Sequence, residues 1–135
     1  MRQMTTAHAH CDLFCGVYDP AQAKIEALSV MKSAQKYQDS DDEVFRARAI
    51  QIKEERAELV KHHLMVLWVD FFTADHRKEF ENLDDLFWRA IHQAGDAKKS
   101  VDPADGQKLV DLVDEIADIF WQTEKAKDAG VYPPS

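Results

Sequence analysis

Glycine and proline are scarce in this chain, four of each in 135 residues, and there are only two cysteines. A single short disulfide between those cysteines would staple little, because the entropy gained on closing a loop is smallest for short loops. No strand-like alternation and no internal repeat runs through the sequence, which leaves sheet and solenoid architectures without support. Basic charge is also short: 17 lysines and arginines stand against 25 aspartates and glutamates, for a net charge of -8 and a pI near 5.1. That balance argues against a nucleic-acid groove or an anionic membrane surface, both of which reward a basic face. Long apolar runs are missing too. The most apolar one, Leu64-Met65-Val66-Leu67-Trp68-Val69-Asp70-Phe71-Phe72, carries a carboxylate and is far below the roughly 20 residues that cross a bilayer. Residues 1–9 hold no apolar stretch that could act as a secretion signal, although Ala7-His8-Ala9 mimics a signal-peptidase site. An acidic protein with no membrane partner, suited to the cytoplasm, is expected.

What remains is a set of amphipathic helices. Asp19 as N-cap, Pro20 at the first helical position and Gln22 at the capping-box position open a first helix, with Ile25, Leu28 and Met31 inward, to about Gln38. Ser40-Asp41-Asp42 starts a longer second helix in which Phe45, Ala49, Ile52, Leu59, Val60, Val66 and Leu67 recur at threes and fours, ending near Phe72. Asp75 caps a third, with Phe80, Leu83, Phe87, Ala90 and Ile91 inward, which Gly95 brings to a stop. Asp102-Pro103 launches a fourth with Leu109, Leu112, Val113, Ile116 and Phe120 on one face. Four such helices with short connections predict an all-α, antiparallel up-down four-helix bundle over residues 20–128, followed by a flexible tail at 129–135.

The chemistry is concentrated ahead of the bundle, in His10-Cys11-Asp12-Leu13-Phe14-Cys15-Gly16-Val17-Tyr18-Asp19-Pro20. Both cysteines lie here, with a histidine beside the first. If residues 1–9 are a leader cut after Ala9, His10 becomes the amino terminus. Its amine and imidazole, the amide nitrogen and thiolate of Cys11 and the thiolate of Cys15 then fall within six residues. Adjacent amine, amide and thiolate form fused five-membered chelate rings, a planar set that suits nickel(II) or copper(II) and suits tetrahedral zinc poorly. The thiolates stabilise an oxidised metal. Arg56 shares a helix face with Ile52, Leu59 and Val60, so it should be partly buried and should need a carboxylate, which Glu26 can supply.

His10-Cys11-Asp12-Leu13 followed by Cys15-Gly16-Val17-Tyr18-Asp19-Pro20-Ala21-Gln22-Ala23 resembles the metal hook of the nickel-dependent superoxide dismutases. The resemblance continues through Glu55-Arg56-Ala57-Glu58-Leu59, Lys61-His62-His63, Leu67-Trp68, Asp102-Pro103-Ala104 and Ile119-Phe120-Trp121. It implies a cytoplasmic enzyme that disproportionates superoxide to oxygen and hydrogen peroxide with a nickel ion alternating between divalent and trivalent states. It also implies a leader-processing protease and a homohexamer. Residue by residue, it makes His10, Cys11 and Cys15 the metal ligands of a hook at 10–19. Tyr18 would stand over the open axial face, and the backbone amide of Asp12, with that of Cys15, would order the small anion. Glu26 would hold the His10 imidazole, with Arg56 holding Glu26. Two positions depart from the family pattern: Phe14 stands where proline usually precedes the second cysteine, and Phe71 where a second pocket tyrosine is usual.

Phe14 keeps a second reading open, a non-catalytic nickel- or copper-binding bundle for storage, delivery or sensing; a third is a helical assembly protein with its cysteines paired. Structural roles are expected for the adjacent His62 and His63, and solvated positions for His76 and His92. Trp68, Trp88 and Trp121 read as core or subunit-interface residues, and Lys53-Glu54-Glu55-Arg56-Ala57-Glu58 as a solvated face with Arg56 its exception. Lys24, Lys61 and Arg56 are the local cations available to steer an anion against the overall charge.

Overall fold

A computed structural model of the chain describes residues 17–124 and 126. Its elements are α1 (Ala21–Gln38), α2 (Glu43–Val66), a π-helical turn (Leu67–Phe71), the short α3 (Ala74–Glu79), α4 (Leu83–Lys99) and α5 (Pro103–Gln122), with no strand among the described residues. The long helices form an all-α bundle in which α1 packs on α2 and α5, and α4 packs on the same two from the opposite corner. Residues 10–16 of the expected hook at 10–19, the leader and the tail at 129–135 lie outside the described residues.

Two helix starts follow the sequence closely. Asp42 accepts the amide of Val44 at 3.0 Å, and Asp102 accepts that of Ala104 at 2.9 Å with Pro103 as the first helical residue. Each cap satisfies one of the amides that a helix terminus leaves without a partner. Leu109, Leu112, Val113, Ile116 and Phe120 of α5 are all buried, as its periodicity predicts. At α1 the helix begins one residue later than expected. Asp19 accepts the amide of Ala21 at 2.8 Å, and no side chain closes a capping box.

Several expectations are corrected. The buried face of α1 is Ala23, Ala27, Val30 and Ala34, while Ile25 points to solvent and Leu28 is half-buried. Small side chains there let neighbouring helices approach closely: a Cβ placed on Gly106 of α5 would lie 2.5 Å from the Met31 Cα. In α2 the interior is Ala49, Lys53, Ala57, Val60 and Leu64, and Phe45 and Ile52 are 41% and 42% exposed. Lys53 is therefore no part of a solvated face. Its ammonium donates to the carbonyl of Ala97 at 2.9 Å and to that of Lys98, closing the C-terminus of α4, where a helix presents its negative end.

The third helix of the sequence reading is two helices. Thr73, rather than Asp75, caps α3: its hydroxyl accepts the His76 amide at 3.4 Å while the His76 Nδ1 accepts the Thr73 amide at 3.0 Å. A break at Phe80–Asn82 separates α3 from α4, and Arg77 ties the two together through a two-armed ion pair with Asp84 at 2.8 Å. Gly95 does not stop α4, which runs on to Lys99. A glycine lowers helix stability without forbidding the helix, and packing on α2 and α5 decides the outcome here. Trp68 and Trp121 pack on the core as expected, whereas Trp88 is mostly exposed and stacks on His92.

Candidate metal centre and its helical support

The polypeptide enters the bundle at Tyr18. The ring of Tyr18 is buried and lies 5.8 Å from that of Phe71, which the π-helical turn places beside the end of α5. Phe71 in turn meets Phe120 at 4.3 Å, Phe72 at 5.1 Å and the His76 ring at 5.9 Å, nearly parallel to it. The turn is π-helical because the Phe72 amide reaches back five residues to the Leu67 carbonyl, at 2.9 Å. His76, expected on a solvated face, is instead half-buried against these rings. Its bond from the Thr73 amide fixes Nδ1 as the acceptor, so the neutral ring carries its proton on Nε2.

Glu26 and Arg56 are brought together as the sequence suggested. One guanidinium nitrogen of Arg56, Nη1, reaches both carboxylate oxygens of Glu26 at 3.3 Å; the side chains are 38% and 15% exposed respectively. This is a long, one-nitrogen contact rather than the two-armed fork of a strong Arg–carboxylate pair. A carboxylate offers about four acceptor positions, so Glu26 retains capacity for another donor. His63, two turns beyond Arg56 on α2, also feels the Glu26 charge. Its pKa lies below the ordinary 6.5, chiefly because burial disfavours the imidazolium, then because of His62, with Glu26 opposing. Sequence reasoning gave His63 only a structural role. Its seven-residue spacing from Arg56 was the signal that it shares this face.

Beside Tyr18, a cleft of about 500 Å³ opens between the start of α1 and the end of α5, lined in part by Asp19, Lys24, Asp114, Asp118 and Trp121. Burial pushes the Asp19 carboxyl up, against the lowering effect of its bond from Ala21. Lys24 is held by Asp114 at 2.8 Å, Lys61 by Glu58 at 3.5 Å and Arg56 by Glu26. The three cations expected to steer an anion are thus each neutralised by a neighbour.

Among the described residues no group of three or more histidines, cysteines, aspartates or glutamates is arranged to hold a metal ion. Both cysteines of the chain, Cys11 and Cys15, precede the first described residue, as do His10 and Asp12. Among the described residues the bundle presents a buried tyrosine, Tyr18, and a carboxylate, Glu26, anchored by Arg56.

The model of the nickel-containing superoxide dismutase family matches residues 5–124. The superoxide dismutase [Ni] of Streptomyces seoulensis is 52% identical over 118 residues, 87% of this chain and 90% of that one. The protein of the same description from Streptomyces coelicolor is 50% identical over 121 residues, covering 90% and 92%. A solved native nickel superoxide dismutase superposes with a TM-score of 0.83 at 50% identity, over 87% of this chain and 100% of that one. One with nickel ligation of the oxidised state gives 0.83 at 52% identity, with the same coverage. The chain belongs to the nickel-containing superoxide dismutase family. It is an enzyme of superoxide disproportionation with nickel as its cofactor.

Proposed function

We propose that the nickel centre of this dismutase is the hook, completed when cleavage after Ala9 frees the amine of His10. His10 would hold the metal through amine and imidazole, Cys11 through amide nitrogen and thiolate, and Cys15 through thiolate. The donor set fits: two thiolates and adjacent amine and amide suit a square-planar divalent ion that must also reach a higher oxidation state. Nickel bound there supplies the electron exchange, alternating between divalent and trivalent states.

The chain's own residues do the rest. The backbone amides of Asp12 and Cys15 order the small anion. Tyr18, clamped by Phe71, holds ordered water through its hydroxyl and keeps larger anions out. Glu26 accepts from the His10 imidazole and fixes its orientation, and Arg56 holds Glu26 in place. Overall, two superoxide anions and two protons become one oxygen and one hydrogen peroxide. The observation that carries this reading is the Glu26 carboxylate, mostly buried one and a half turns into α1 and held by a single guanidinium nitrogen. The reading extends to a cytoplasmic homohexamer matured by a leader protease, as the family resemblance implies.

The test is to release residues 1–9, add nickel, and follow superoxide decay together with the electron paramagnetic resonance spectrum. A nickel(III) signal and fast decay are expected, and Cys11→Ser or Cys15→Ser should abolish both. Nickel retained without turnover would instead indicate a storage or delivery protein. Active enzyme whose intact mass includes Met1 through Ala9 would refute the role of the His10 amine.

A further inference from the structure

The aromatic end of the bundle contains a polar ring with no place in the centre proposed above. His76, half-buried in α3, lies 5.9 Å from Phe71 with its plane 12° from parallel, and 5.6 Å from Phe72 edge to face. Both separations fall in the range where ring pairs hold each other's orientation as well as burying area. Phe71 is fully buried and its ring has no polar atom, so packing alone sets where it stands. Among the described residues Phe72, Phe120 and His76 back it. Of these three only His76 can be fixed by a hydrogen bond. Its Nδ1 accepts the Thr73 amide at 3.0 Å, while its own amide donates to the Thr73 hydroxyl at 3.4 Å. The capping box that starts α3 thereby also sets the plane of the imidazole. Tyr18 meets Phe71 as well, at 5.8 Å and tilted by 60°.

We infer that His76 is a positioning residue for superoxide disproportionation: its imidazole, oriented by Thr73, fixes Phe71, and Phe71 in turn fixes Tyr18 where the chain enters the bundle. The need is particular to this chain, because Phe71 stands where a ring with a hydroxyl is usual and has no polar handle of its own. A close-packed interior transmits such a constraint from ring to ring. With the imidazole gone, Phe71 has room to turn, and the Tyr18 ring gains more than one pose. Its hydroxyl then holds water less often where the reaction uses it, and the entrance admits larger anions. His76 touches neither metal nor substrate in this account.

The inference rests on the role proposed for Tyr18. His76→Gln tests it by keeping an acceptor at the position where a capping box favours glutamine while removing the ring; His76→Phe keeps a flat ring and gives up the bond. With 3-fluorotyrosine incorporated, the three tyrosines of the chain, Tyr18, Tyr37 and Tyr132, are followed by fluorine NMR of the nickel-loaded protein, beside superoxide decay and its inhibition by azide. His76→Gln should shift or broaden the Tyr18 signal and leave that of Tyr37 in place, with helical circular dichroism and nickel content kept. Decay should slow by about 5-fold or more, and half-inhibition by azide should fall to a concentration lower by a similar factor. His76→Phe should recover most of each change. An unmoved Tyr18 signal in His76→Gln would overturn the inference whatever the activity. A moved signal with unchanged decay and azide inhibition would overturn the role of Tyr18 and leave the ring contact standing. Equal changes in the Gln and Phe variants would overturn the ring as the part that acts.

Discussion

Glu26 sits at the point where a small change should separate binding from turnover. In the centre proposed above it contributes no ligand, so Glu26→Ala should leave most of the nickel bound while superoxide decay falls by about 10-fold or more, the usual cost of losing an outer partner of a metal-bound histidine. Arg56→Ala should move the same way, and paired metal analysis and stopped-flow decay would check both; equal losses of nickel and rate would show a folding defect instead. His63 allows a pH test. Its folded pKa is depressed, so the fold resists protonation, and stability is lost as pH falls through the unfolded value near 6.5 towards the folded one. His63→Gln should therefore flatten the decline in denaturant midpoint between pH 7 and pH 5.5. A variant with an unchanged slope would assign that decline to other groups.

Among the elements, two glycines in neighbouring helices should respond oppositely to the same substitution. Gly106→Ala drives a Cβ into the Met31 backbone, so the α1–α5 contact must open, at a cost of about 1–3 kcal/mol despite the gain in helix propensity. Gly95→Ala meets only the flexible end of Lys61, at 3.6 Å, and should stabilise α4 by roughly 0.5–1 kcal/mol. Urea unfolding of the two variants measures both signs. The same contrast shows what the sequence could convey. Caps at Asp42 and Asp102 and the face of α5 were legible because their determinants are local. The interior of α1 was not, because close helix approach selects alanine, which periodicity weighs less than Ile25 or Met31. Phe45 and Ile52 read as core because apolar spacing cannot tell a bundle interior from an outward-facing apolar row. The donor set proposed for the centre rests on the sequence alone, because His10, Cys11 and Cys15 precede the first described residue. The place of His76 among the rings was not, since it depends on the break between α3 and α4.

For the whole molecule, electrostatics should matter less to the rate than for a dismutase with an open cationic funnel. Lys24, Lys61 and Arg56 are each paired, and the net charge of -8 opposes an anionic substrate. Raising salt from about 50 to 500 mM should thus change the second-order decay by less than about twofold, since pairs in contact leave little field beyond a Debye length. A drop of many-fold would reveal unneutralised cations near the hook. No described helix is long and apolar enough to cross a membrane; the aromatic end of the bundle is built from its own rings, Tyr18, Phe71, Phe72 and Phe120. The π-helical turn from Leu67 to Phe71 is what makes that end possible. It accommodates one residue more than an α-helical turn would, and each residue rotates the following side chains by about 100°. A chain one residue shorter there would swing Phe71 away from both Tyr18 and Phe120. The length of this segment, more than the identity of its exposed residues, is therefore the variation this fold can least absorb.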